Sequence, residues 1–250
     1  MGAVSRSGVL RLPASSSLFD VEPFRGETQR VVVARDVAAP TLVLGSTQPT
    51  ELVGVAAMRA REVELIRRRG GGGAVYLEPG AQLWLDAWIP RGDPLWTADV
   101  STAAEWVGAW WKEALADAGQ QGLDVHTGRS EPGDLGTLVC FAGRGPGEVF
   151  DGVRKVVGLS QWRAREGALF SSCAYRHWDP AALLALVDMD EQVRAGLARE
   201  VAPLAAGLGD LDPPVTDLDQ VLTALLGSFP SFGAPDSFGP PPDGGGANAT

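Results

Sequence analysis

Arg67-Arg68-Arg69-Gly70-Gly71-Gly72-Gly73-Ala74-Val75-Tyr76 sets four consecutive glycines behind a short apolar run, Val63 to Ile66, that reads as a strand. A run without side chains presents successive backbone N–H groups to an anion and lets a ligand lie against the main chain. The neighbouring arginines can neutralise a carboxylate or phosphate. The run matches neither the Walker pattern nor the GxGxxG fingerprint, and a flexible hairpin loop with solvated arginines accounts for the same residues.

Working outward, Val31 to Ala34 and Thr41 to Leu44 read as strands, and Glu51 to Arg61 reads as a helix. Ala81 to Ile89 alternates bulky and small residues, as a half-buried strand does. The clearest helix runs from about Thr102 to Ala118. Thr102 and Glu105 have capping-box spacing, Trp106, Trp110 and Ala114 share one face, and Gly119 ends it. Leu123 to Gly136 connects this helix to Thr137–Phe141, Glu148–Phe150, Lys155–Trp162 and Ala168–Tyr175, which read as successive strands. Strands joined by turns with helices to one side predict an α+β fold with a mixed or antiparallel sheet. Residues 1–25 read as a poorly ordered N-terminus, 26–180 as the main α+β domain, 181–227 as a helical extension and 228–250 as a disordered Pro/Gly tail.

The composition is that of a soluble globular protein, without a long apolar run or a secretory signal, and points to the cytoplasm. A formal net charge of −10 argues against nucleic acid and anionic membranes as partners. A docking face for an acidic carrier would have to be locally basic, and Arg61, Arg67, Arg68 and Arg69 are the densest basic group. Among 21 basic residues only Lys112 and Lys155 are lysines. Lys112 falls on the polar side of the helix, whereas Lys155 opens a strand after a turn at Gly152. There it would polarise an acyl carbonyl or pair with an anion; a solvated surface cation is the plain alternative. Cys140, in Leu138-Val139-Cys140-Phe141, is a candidate acyl nucleophile that a neighbouring ammonium would activate, or simply a small buried hydrophobe. Cys173 reads as buried. No serine sits in a nucleophile elbow and no residues have metal-ligand spacing, so no metal site is expected. Trp84, Trp88, Trp106, Trp110 and Trp111 read as core, with some able to line an acyl tunnel.

Taken in order, Arg67-Arg68-x-Gly-Gly-Gly-Gly-Ala-Val-Tyr, Gly152-x-Arg-Lys-Val-Val-Gly-Leu-Ser-Gln and Gly167-Ala168-Leu169 resemble the biotin/lipoate protein ligase superfamily, in its lipoate ligase and octanoyltransferase branch. The resemblance spans roughly Val31 to Pro180. It implies a catalytic domain like that of class II synthetases, with the glycine loop and the lysine lining an acyl pocket. Carried over residue by residue, it makes Lys155 catalytic and assigns acyl-adenylate contacts to Arg68, Gly71, Gly72, Gly73, Ala74, Val75, Tyr76 and Gly158. The chain departs from the ligase pattern at Gly70 (usually Ser or Thr), at Leu77 (usually His), and in lacking an Arg-Asn-Asp element before the lysine. The stretch found there, Cys140-Phe-Ala-Gly-Arg-Gly-Pro-Gly-Glu-Val, is similar to cysteine-dependent octanoyltransferases, in which the thiol carries the acyl chain. In another transferase class the cysteine follows the lysine, at the position of Ala168 here.

Three functions follow from the resemblance. The first is transfer of an octanoyl or lipoyl group through a Cys140 thioester to a lysine of a lipoyl carrier domain, without a cofactor. The second is lipoate ligation through lipoyl-AMP, requiring ATP and Mg2+. The third, suggested by Leu77, is a non-catalytic protein that binds lipoate or the carrier. The implied partners are the glycine cleavage H protein or a 2-oxoacid dehydrogenase E2 lipoyl domain, with an acyl carrier protein as a further candidate.

Overall fold

The nine residues Gln82–Pro90 are all buried, although their alternation predicts a strand with one wet face. Leu83, Leu85, Ala87 and Ile89 enter one core, while Trp84 and Trp88 enter two others on the opposite face. Both faces are covered, and that is why alternating size here does not mean alternating exposure.

A computed structural model describes residues 9–12, 21, 24 and 26–229. In chain order the elements are β1 (Val9–Leu12), β2 (Val31–Arg35), β3 (Thr41–Leu44), α1 (Val55–Ala60), β4 (Glu64–Arg67), β5 (Val75–Leu77), β6 (Gln82–Pro90), α2 (Glu105–Asp117) and β7 (Asp124–Val125). They continue with α3 (Gly133–Leu138), β8 (Val149–Asp151), β9 (Arg154–Arg163), β10 (Gly167–Tyr175), α4 (Pro180–Leu184), α5 (Glu191–Val201) and α6 (Leu218–Ser228). The large sheet has the order β1-β2-β6-β10-β9-β8-β7 and is antiparallel except for β1 beside β2; a small sheet has the order β4-β3-β5. The expected α+β fold with a mixed sheet is what forms. Most of the unordered N-terminus and nearly all of the Pro/Gly tail expected from the sequence lie outside the described residues. Within the former, β1 pairs along the outer edge of β2.

On one face of the large sheet lie α2 and α6. Trp110 and Trp111 of α2 are fully buried, and their indole N–H groups donate to the Leu225 carbonyl (3.1 Å) and to Ser172 Oγ (2.9 Å). Helix α6, from the segment 181–227, thus shares the main core. Small sheet and α4–α5 meet in a second core containing Leu42, Leu44, Leu183, Leu184 and Val201.

Three sequence expectations are corrected. The capping box at Thr102 does not form: α2 starts at Glu105 behind Ala104, because Ser101–Ala104 are drawn into turns that bury Ala103 and Ala104. The helix expected over Glu51–Arg61 is a 3-10 turn and the short α1, interrupted where Val53 bridges Val187 and Gly54 N–H donates to Leu186. The strand expected over Thr137–Phe141 is replaced by the end of α3 and a 3-10 turn, Cys140–Ala142. Val139 and Phe141 are buried and Leu138 half-buried, but a short apolar run does not separate strand from helix.

Helix α5 supplies a small test of these assignments. Asp190 caps it by accepting from the Gln192 N–H at 2.8 Å. Asp190→Ala is expected to cost about 1 kcal/mol in thermal unfolding.

Candidate active site

Strand β4 delivers Arg67 and Arg68 to the glycine loop, and their side chains do different work. Arg67 donates to the Gly45 carbonyl at 2.9 Å, tying β4 to the loop after β3, while the Ser46 N–H donates to the Gly70 carbonyl at 3.0 Å. Arg68 is 3% exposed and turns inward, donating to the carbonyls of Gly71 (2.6 Å) and Gly73 (2.8 Å). The same NH2 lies 3.9 Å from Cys140 Sγ, and NH1 has no partner among the described residues. Burying Arg68 removes it from the basic docking face expected from the sequence; Arg61, Arg67 and Arg69 remain exposed.

The loop has to be glycine where it meets the Cys140 turn. Gly72 has φ +94°, and a Cβ there would lie 3.0 Å from the Arg68 guanidinium. At Gly73 a Cβ would lie 2.6 Å from the Gly136 carbonyl oxygen and 2.7 Å from Cys140 N. All of these close atoms are backbone, so Gly73→Ala is expected to lose roughly 1–3 kcal/mol of stability by overpacking. It should also shift the Cys140 turn, which hydrogen exchange at Cys140 N–H would register through its 3.0 Å bond to Ala74 O.

Strand β9 places Lys155 behind that turn, 1% exposed. Its ammonium donates to the Cys140 carbonyl at 2.7 Å and pairs with Glu148 Oε2 at 2.7 Å, with the Phe141 ring 5.8 Å away. The sequence had suggested that Lys155 stands next to the sulfur; it grips the backbone of the cysteine instead, and the cation beside the sulfur is Arg68. Glu148 also accepts from the N–H groups of Gly145 (2.6 Å) and Leu159 (3.2 Å). Burial pushes its carboxyl above the ordinary glutamate range, against the opposing pull of Lys155 and these donors.

These groups line a cleft of about 260 Å³ whose walls include Gly72, Cys140, Arg144, Glu148, Lys155 and Ser160. Of the residues singled out from sequence, Gly71, Gly72, Gly73, Cys140 and Lys155 line it, with Arg68 directly behind. The others do not line it. Ala74 and Val75 are buried in the cores, and Tyr76 directs its hydroxyl to Glu78 at 3.2 Å. Burial, and then Glu78, raise the Tyr76 phenol. Gly158 makes room for Phe141, whose ring a Cβ would approach to 2.8 Å. Cys173 is buried, and desolvation followed by the neighbouring Cys140 pushes its thiol well up, which leaves it no use as a nucleophile. The described residues contain no cluster of three or more potential metal ligands. Sequence reasoning gave Glu148 no role. The signal was present: a lysine in a buried strand needs a counter-ion, and Glu148 is the acid that follows the Gly145-Pro146-Gly147 turn just ahead of it.

The lipoyl protein ligase A/B catalytic domain family matches residues 24–229. The chain belongs to this family. Its members are enzymes of protein lipoylation, and the fold agrees. An archaeal bipartite lipoate protein ligase, studied with its E2 lipoyl domain from Thermoplasma acidophilum, superposes with a TM-score of 0.68 at 20% identity, covering 88% of this chain and 80% of that one. The T. acidophilum protein Ta0514 with bound lipoic acid gives 0.62 at 19% identity, covering 88% and 82%. Lipoate-protein ligase A bound with ATP gives 0.59 at 18% identity, covering 82% and 73%. A search of curated proteins returned no match. Among the described residues no helix is long and apolar enough to cross a membrane.

Proposed function

We propose that this family member transfers an octanoyl or lipoyl group to a lysine of a lipoyl carrier domain through a thioester on Cys140. The observation that carries the reading is the position of Cys140: its sulfur is in the cleft wall, 3.9 Å from a buried guanidinium that has no carboxylate partner among the described residues. That guanidinium sets positive charge beside the sulfur, where negative charge develops as the acyl group is taken up and released.

In this mechanism the Cys140 sulfur attacks the carbonyl of an acyl thioester. A C–S bond to Cys140 forms, the donor's C–S bond breaks, and the donor leaves as a thiol after taking up a proton. The carrier lysine then attacks the new thioester, a C–N bond forms and Cys140 is released. Lys155, fixed by Glu148, holds the Cys140 carbonyl and so the aim of the sulfur. The implied partners are an E2 or H-protein lipoyl domain as acceptor and an acyl carrier protein as donor.

The ligase reading would require ATP and Mg2+. Among the described residues Glu148 is the only carboxylate lining the cleft, and it is engaged by Lys155 and two backbone N–H groups. Lys155 is neutralised by the same contact. Among the described residues the cleft thus offers a magnesium triphosphate a single carboxylate, one already paired with a cation.

The test follows the mass of a lipoyl domain incubated with the protein and octanoyl-carrier thioester, or with lipoate, ATP and Mg2+. Modification without ATP supports the thioester reading. Pyrophosphate release that depends on lipoate and survives Cys140→Ala would replace it with the ligase, and binding of the domain without modification would favour a non-catalytic role.

A further inference from the structure

We infer that Glu148 is the proton acceptor for the incoming carrier lysine, an inference that rests on the thioester reading. A lysine side chain has a pKa of about 10.4 and arrives as an ammonium, so it must lose a proton before it can attack. Among the described residues four titratable side chains line the cleft: Cys140, Arg144, Glu148 and Lys155. Cys140 is acylated at this stage. Arg144 stays protonated, with its guanidinium 4.7 Å from the Phe150 ring. Lys155 Nζ is occupied by Glu148 and by the Cys140 carbonyl, each at 2.7 Å. The carboxylate is the one base left.

The geometry of Glu148 is compatible with that task. Oε2 takes the bonds from Lys155 and from Gly145 N–H, whereas Oε1 takes only the 3.2 Å bond from Leu159 N–H and keeps lone-pair capacity. One ammonium group separates it from the residue that carries the acyl chain. The charged and titratable groups facing it are Lys155 from β9, with Arg144 and Cys140 across the cleft; from the β7 side, the His126 N–H donates to the Glu148 carbonyl at 2.8 Å. Desolvation makes the carboxylate a stronger base than a surface glutamate, in keeping with the role.

The step balances. The lysine ammonium gives one proton to Glu148, its lone pair forms the C–N bond, and the C–S bond breaks with its pair on Cys140 sulfur. The second proton lost by the nitrogen goes to that sulfur, regenerating the thiol, and Glu148 returns its proton to solvent.

The experiment separates the two half-reactions of Glu148→Gln. Loading of Cys140 from octanoyl thioester is read by mass, and single-turnover transfer from the loaded protein to a lipoyl domain is read by quench. Transfer is expected to fall roughly 10²–10⁴-fold, far more than loading. The residual rate should climb about tenfold per pH unit above neutrality, as free amine accumulates. Hydroxylamine, unprotonated at neutral pH, should strip the acyl group from variant and wild type equally. Unchanged transfer overturns the inference, and so does an equal slowing of hydroxylamine, which would mean that Glu148 only positions Lys155. Glu148→Asp keeps a carboxylate and must keep the wild-type pH profile; the steep profile of the Gln variant there would also count against it. Wild-type protein that never forms acyl-Cys140 defeats the thioester reading itself, a failure seen before any variant is mixed.

Discussion

Lys155→Ala is expected to remove turnover and to destabilise the fold by roughly 3–5 kcal/mol, the cost of leaving a buried carboxylate without its cation. Both partners are almost fully buried, with side-chain exposures of 1% and 4%, so water cannot take the place of the ammonium. The pH dependence gives the cause away. Burial already raises the Glu148 carboxyl in the folded protein, and Lys155 is the largest influence opposing that rise. With Lys155 gone the folded-state value climbs further above the unfolded one. The native state then binds more protons than the unfolded state between the two values, and stability falls as pH rises through that window. The deficit of Lys155→Ala relative to wild type should therefore be smaller near pH 5 than near pH 8, as read from thermal or urea unfolding at both values. Glu148→Gln added to Lys155→Ala should recover part of the loss, because it removes the stranded charge. A deficit independent of pH, or additivity of the two changes, would show that Lys155 contributes packing and not ion pairing.

Some of this was legible in the sequence and some was not. Strands β2, β3, β9 and β10 follow from β-branched and alternating runs, because local pattern and tertiary burial agree there. Leu138-Val139-Cys140-Phe141 is as apolar as those strands, yet the chain around it turns. A single bridge between Ala74 and Val139 is all the ladder it makes, and the close approach of Gly73 to Cys140 decides the turn. No local pattern encodes a contact over that span of chain. The same holds at the cleft. A glycine run and an isolated lysine announce themselves by composition, whereas the Arg68–Cys140 approach and the Lys155–Glu148 pair depend on how β4, the 3-10 turn and β9 come together. Val75 and Tyr76 belong to the same motif, but both pack within cores and neither lines the cleft.

Cys140→Ser is the sharpest substitution available, expected to lower transfer without ATP by at least roughly 10³-fold while leaving stability within about 1 kcal/mol. Serine keeps the shape and the backbone carbonyl that Lys155 grips, so the loss would not come from collapse of the turn. It comes from the element. Sulfur is intrinsically the stronger nucleophile toward a thioester, and a guanidinium 3.9 Å away does not make up that difference for a hydroxyl. Among the described residues no histidine lines the cleft to act as a base toward it: His177 is bonded to Asp210 at 2.8 Å, and His126 to the Arg129 carbonyl at 3.1 Å. The measurement is the mass of the protein after exposure to octanoyl thioester, with and without the lipoyl domain. Wild type should gain one octanoyl group and pass it on; Cys140→Ser should gain none. Arg68→Met then tests the cation by itself, since it should slow loading while Cys140 is still present. Loading as fast as wild type in Arg68→Met would leave the buried guanidinium to a bound anion, and with it the strongest physical argument for a thioester at this cysteine.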